Sequence, residues 1–191
     1  MRWPSFSRGV TLLSGLKQRE CVEWNQQVPV WLSQHPEIST LFVSDHPGPV
    51  VRAAGQSLIQ AQVAGYVGAW QRLPASIAHI VVIRDIPYAH EDTLACVERA
   101  IGRHADAGVA CAVPRRLALR SDPEALAAEQ LNSPRVQVID LTQFFCSARL
   151  CYPVIGGALV YRDADHLTRT FAATLGPYLL RALRGLMSSW G

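Results

Sequence analysis

Residues 79–85 read HIVVIRD, and the interpretation of this run decides the fold. Ile80 to Ile83 are four consecutive β-branched residues with no polar alternation. A strand with one wet face alternates apolar and polar residues. An unbroken apolar run belongs instead to a strand buried on both faces, as in a parallel sheet covered by helices. Working outward toward the N-terminus, SLIQAQVAGYVGAWQRL (57–73) places apolar residues at helical spacing, and STLFVS (39–44), after Pro36, reads as a buried strand. Before it, the segment from about Arg19 to Ser33 is helix-like and carries Val22, Trp24, Val28 and Trp31. In the other direction the turn residues DIPYAHED lead to a short helix over TLACVERAI (93–101) and then an irregular region. SDPEALAAEQ (121–130) offers a helix start with Ser121 or Asp122 as N-cap and Pro123 in the first turn, and VQVID (136–140) follows as a strand.

Strands separated by helices at this spacing imply right-handed crossovers and a mostly parallel sheet. The expected architecture is therefore a three-layer α/β/α sandwich. At 191 residues, 49% of them hydrophobic, the chain is long enough for one full core and short for two, so residues 1–191 are expected to form a single domain. Internal repeats and low-complexity linkers are absent from the sequence.

The formal charge of +3 comes from scattered Arg with a single Lys, and no basic run is interleaved with aromatics. This pattern argues against a nucleic-acid groove. The short apolar run near the N-terminus is interrupted by Gly, Ser and Lys before a signal-peptide core forms. The most apolar helix, FAATLGPYLLRALRGLM, is broken by Pro177, Arg181 and Arg184 within the length of a membrane span. His35, His79, His90 and His104 are dispersed, so neither a metal nor a cofactor is expected. Trp24, Trp31 and Trp70 stand at helical spacing among apolar neighbours, which favours core packing over a sugar platform.

The five cysteines, Cys21, Cys96, Cys111, Cys146 and Cys151, match no CxxC zinc pattern. The CSARLC interval suits a small disulfide loop better than a metal, and pairing Cys146 with Cys151 and Cys96 with Cys111 would leave Cys21 alone. Buried free thiols are the alternative at this point.

Sites in such sheets gather beyond the carboxyl ends of the strands. That directs attention to Ser44, to the residues from Asp85 to Tyr88, to Asp140–Gln143, and to YRDADHLTRTF (161–171). In the last stretch His166 falls in or just before the first turn of an amphipathic helix. Asp163, three residues earlier, can accept a hydrogen bond from one ring nitrogen and leave the other to take a proton from a serine. Asp165 is expected to point elsewhere. In the competing reading, Asp163 only caps the final helix and His166 is a solvated first-turn residue.

The block DLTQFFCSARLCYPVIGGALVYRDADHLTRTFAATLGPYL resembles the end of the SGNH hydrolase-like domain found at the C-terminus of many acyltransferase family 3 membrane proteins. That family has an Asp-Leu-Thr segment, a Cys pair, a Gly-Gly-containing strand and an Asp-x-x-His-Leu-Thr motif in this order. ECVEWNQQV, VVIRDIPY and CAVPRR agree in sequence order, so the resemblance covers about Cys21 to Leu183. It implies a flavodoxin-like sandwich, with Asp163 and His166 as acid and base of a Ser-His-Asp triad. It further implies an O-acyltransferase or esterase acting on acyl groups, usually acetyl, of a cell-envelope polysaccharide or glycan acceptor. Disulfides Cys96–Cys111 and Cys146–Cys151, an extracytoplasmic location and a fused upstream membrane acyltransferase domain complete the expectation.

The family's nucleophile lies in a Gly-Asp-Ser-His block after the first strand, and no such block occurs in residues 1–191. The expectation is thus a domain incomplete at its N-terminus, without its first strand, its serine and the glycine of its oxyanion hole. The alternative is a catalytically inactive remnant, or a glycan- or protein-binding module of the same fold. Ser44 in VSDHPGP follows a strand, but Pro47 and Gly48 mark an ordinary turn there. Ser44, Asp85 and Tyr88 are therefore expected only to line the site.

Overall fold

The computed structural model describes residues 10–11, 15–44, 51–52, 55 and 57–190. In chain order its elements are β1 (Val10–Thr11), α1 (Gly15–Ser33), β2 (Thr40–Val43), β3 (Val51–Arg52), α2 (Leu58–Gln71), β4 (His79–Ile83), α3 (Thr93–Gly102), α4 (Ala107–Ala110), β5 (Val113–Pro114), α5 (Arg115–Ala118), α6 (Pro123–Leu131), β6 (Val136–Ile139), β7 (Leu150–Cys151), β8 (Val154–Ile155), β9 (Ala158–Leu159) and α7 (Arg169–Met187). They divide into two compact units, Met1–Asp85 with Ser121–Val138 and Ile86–Arg120 with Ile139–Gly191.

The first unit is built on a three-stranded parallel sheet with β4 between β2 and β6. β2 runs parallel to β4 in the register Thr40↔His79 to Val43↔Val82, and on the other side Ile80 N–H donates to Arg135 O at 2.7 Å. Ile80, Val81 and Val82 are all within 1% of complete burial. Successive strand residues point to opposite faces, so both faces of β4 are covered and the run carries no polar alternation. This is the α/β arrangement expected from the run at 79–85.

Local chemistry starts the helices. Ser57 Oγ accepts the Gln60 N–H while the Gln60 side chain accepts the Ser57 N–H, a reciprocal box that opens α2. Asp122, not Ser121, caps α6, with Pro123 in its first turn. Tyr66, Ala69 and Trp70 of α2 and Ala127 and Ala128 of α6 then pack with Leu32, Val43, Ile80, Val82 and Val136 in one core. The Arg135 guanidinium holds the turn before β4 by donating to Ile77 O at 2.7 Å, Pro74 O at 2.8 Å and Leu73 O at 3.3 Å.

Two sequence expectations are corrected in this unit. Trp70 is core at 1% exposure, but Trp24 and Trp31 are 38% and 51% exposed and line an apolar groove of about 360 Å³ with Val28, Leu32, Ile38 and Leu41. Helical spacing marks an apolar stripe without saying whether it is fully covered. Likewise β2 is only partly buried, since Phe42 is 54% exposed. The expected turn at Pro47 and Gly48 and the side chain of Cys21 lie outside the described residues.

The second unit contains both disulfides. Cys96–Cys111 ties α3 to the end of α4, beside the small core of Val97, Ala100 and Ala107, and Cys146–Cys151 closes the loop before β7. Gly108 is required in α4, because a Cβ there would lie 2.6 Å from Val154 O. β8 and β9 form a hairpin whose two turn residues, Gly156 and Gly157, have φ of +58° and +78°. Such a two-residue turn needs positive φ at both positions, which explains the Gly-Gly pair. Phe171 and Leu175 of α7 bury against Phe145, Val160 and Tyr161. No helix among the described residues is long and apolar enough to cross a membrane.

Candidate active site

β9 leads within a few residues to α7, and the connection is pinned at both ends. Thr168 N–H donates to Val160 O at 2.8 Å, and its hydroxyl donates to Leu159 O. The same hydroxyl accepts the Phe171 N–H at 3.1 Å, so Thr168 is the cap of α7. Arg162 N–H donates to His166 O at 2.8 Å and closes residues 162–166 into a turn. The reading in which Asp163 caps the final helix is therefore overturned, and His166 lies two residues before the cap.

Inside this turn Asp163 Oδ1 accepts the His166 N–H at 2.8 Å, the Asp165 N–H at 3.2 Å and the His166 ring at Nδ1, also at 2.8 Å. Asp165 does not point elsewhere: its Oδ1 lies 3.1 Å from the same Nδ1. Two carboxylate oxygens facing Nδ1 place the ring proton there and leave the Nε2 lone pair outward. The His166 side chain is 61% exposed, so that lone pair is open to a reacting group. Desolvation pushes the Asp163 carboxyl up, but it is outweighed. The hydrogen bond from the His166 ring, the backbone N–H groups of Asp165 and His166, and the imidazole's positive charge when protonated hold it well below the usual carboxylate range. The Arg162 guanidinium adds a contact to Asp163 Oδ2 at 3.4 Å.

Asp163, Asp165 and His166 are the group in which three potential metal ligands converge among the described residues. Elsewhere His35 meets Glu37 and His90 meets Asp92, each at 2.8 Å, pairings that the dispersed histidines did not suggest.

Of the other expected site residues, Tyr88 lies in the same unit as the turn. Residues 84–90 form no turn; the segment is irregular. Tyr88 N–H donates to Ala118 O and Ala89 N–H to Ala164 O, both at 2.8 Å, so the backbone beside Tyr88 is bonded directly to the acid–histidine turn. Arg120, which the sequence did not single out, lays its guanidinium 3.4 Å above the Tyr88 ring. Ser44 and Asp85 belong to the first unit, where Ser44 is exposed directly after β2. Asp85 follows β4, and its N–H donates to the Asp122 carboxylate at 2.8 Å.

The chain thus combines an α/β fold with a histidine oriented by an acid ahead of its last helix, an arrangement that can accept and return a proton. The sequence model of one family, the SGNH domain fused to AT3 domains, matches residues 4–181, running through both units. The chain belongs to this family of SGNH domains, an acyltransferase/esterase-type family. No curated protein and no solved structure matches the chain.

Proposed function

We propose that this chain supplies the base and the orienting acid of an SGNH-type O-acyltransferase or esterase that acts on acyl groups, acetyl above all, of cell-envelope glycans. The observation that carries the reading is the 2.8 Å bond between His166 Nδ1 and Asp163 Oδ1 on a side chain that is 61% exposed. In the reaction a serine Oγ attacks the acyl carbonyl and His166 Nε2 takes its proton. The acyl–oxygen bond to the donor breaks, and His166 returns the proton to the leaving oxygen. A glycan hydroxyl or water then attacks the acyl-serine as His166 accepts its proton, the acyl–Oγ bond breaks, and His166 returns the proton to the serine oxygen. Asp163 fixes the tautomer and stabilises the imidazolium at each step.

Residues 1–191 hold no Gly-Asp-Ser-His block, so in this reading the serine comes from chain joined ahead of residue 1, together with a fused membrane acyltransferase domain. The two disulfides support an oxidising location on the outer side of the membrane. The missing block also favours a second reading, a glycan-binding module that retains the fold without turnover.

Reading the coding frame ahead of the Met1 codon and assaying the joined polypeptide tests both. With a Gly-Asp-Ser-His block present, hydrolysis of p-nitrophenyl acetate and acetyl transfer to glycan should fall by about 10⁴–10⁶ in His166→Ala. Undiminished turnover in that variant overturns the first reading. An in-frame stop without the block leaves the binding module.

A further inference from the structure

Arg120 is not absorbed by the acid–histidine chemistry. Its guanidinium lies on the Tyr88 ring at 3.4 Å, and among the described residues it meets no carboxylate or carbonyl. A guanidinium stacked flat on an aromatic ring has its plane fixed while its N–H donors stay directed outward, which pre-organises it for a planar anion. Its place is set by backbone bonds: Tyr88 N–H to Ala118 O holds the ring to the segment that carries Arg120, and Ala89 N–H to Ala164 O holds the next residue to the turn between Asp163 and Asp165. Residues 88–89 are thus bonded both to the segment that leads into Arg120 and to the turn that presents His166.

Charge agrees with this placement. The second unit has ten Arg against seven Asp and Glu, so the chain's formal +3 resides there. Arg115 is committed to Ser147 O and Arg162 to Asp163, whereas Arg120 is exposed. The negative groups of the turn are also engaged, Asp163 and Asp165 both by the His166 ring. Arg116 and Arg169 of this unit are exposed as well, and what sets Arg120 apart from them is the Tyr88 ring beneath its guanidinium.

We propose that Arg120 on Tyr88 is a substrate-recognition subsite that takes the carboxylate of an acidic sugar, so that the acceptor is a uronic-acid-containing glycan. This rests on the acyl-transfer reading for its biological meaning, and binding alone tests it. The ¹⁵N-labelled chain is titrated with galacturonate, with galactose and with inorganic phosphate. Galacturonate should shift the amides of Ala89, Arg120 and Ala164, and galactose should not. Arg120→Ala should weaken galacturonate binding about tenfold or more, the loss of a charge-assisted pair, with its melting temperature unchanged. Arg120→Lys should restore part of the affinity, since it keeps the charge and loses the fork. Equal binding of galactose and galacturonate, no binding of either, wild-type affinity in Arg120→Ala, or binding of phosphate alone each overturns the proposal. If His166→Ala binds galacturonate normally while the joined polypeptide transfers no acyl group, the acyl-transfer reading fails and this subsite stands.

Discussion

Replacing Asp122 with Ala should destabilise the first unit by about 2–3 kcal/mol, and the structure supplies both parts of that figure. Asp122 is 4% exposed, and its two carboxylate oxygens do different things. Oδ1 accepts the Ala125 N–H at 3.0 Å and caps α6, a contact whose loss costs about 1 kcal/mol. Oδ2 accepts the Asp85 N–H at 2.8 Å, anchoring the chain directly after β4. An N–H stripped of its acceptor costs about 1–3 kcal/mol, and Asp85 is only partly buried, so the lower half of that range applies. In urea, followed by tryptophan fluorescence, a slope of about 2 kcal/mol/M turns the sum into a midpoint lower by about 1–1.5 M. Trp70 reports directly, because it packs in the same core as Ala127 and Ala128 of α6. Asp122→Ser separates the parts: its shorter hydroxyl keeps the cap without reaching Asp85, so it should recover about 1 kcal/mol. A loss below 1 kcal/mol in Asp122→Ala, or identical midpoints for the Ala and Ser variants, refutes the two-armed account.

Asp163 has a folded pKa lowered below its unfolded value of about 3.9, so its contribution to stability is fully present above that pH and is lost as pH falls through the folded value. Its carboxyl carbon resonance should titrate well below pH 3.9, and a midpoint at or above that value contradicts the hydrogen-bonded turn. Replacing Cys96 and Cys111 by Ala opens a loop with a sequence separation of 15 and should lower stability by about 3 kcal/mol in calorimetry, with an unchanged midpoint counting against the bridge. Gly157→Ala forces a side chain onto φ of +78° and should cost about 1–2 kcal/mol in urea, whereas an Ala at the exposed, helical Gly176 should not destabilise. The Tyr161 hydroxyl is buried with no hydrogen-bond partner among the described residues, and burial pushes its phenol up. Tyr161→Phe should therefore leave the melting temperature unchanged or raise it, and a fall of several degrees would reveal a partner.

The acid–histidine pair was readable because it is local. Three residues of spacing closed by one turn bring Asp163 to His166, and the residues that make the turn are themselves in the motif. Asp165 was misassigned because adjacency along the chain does not fix a side chain's direction; the turn closed by Arg162 N–H brings its oxygen round to the same ring nitrogen. Arg120 left no signal, since its ring partner is 32 residues away and the bonds that bring the two together are made by backbone atoms of any residue type.

The sequence by itself determined several elements: the unbroken run at 79–85 demanded a strand covered on both faces, the apolar spacing over 57–73 a helix, and Asp122 with Pro123 a helix start. These are short-range consequences of sterics, hydrogen-bond supply and burial. Only the tertiary structure decided that Trp70 is core while Trp24 and Trp31 line an open groove, that the segment after β4 is irregular instead of turning, and that Tyr88 carries Arg120. An apolar stripe or a polar loop names what a residue can touch. Which neighbour arrives depends on contacts between segments distant in the chain, and no local pattern encodes those.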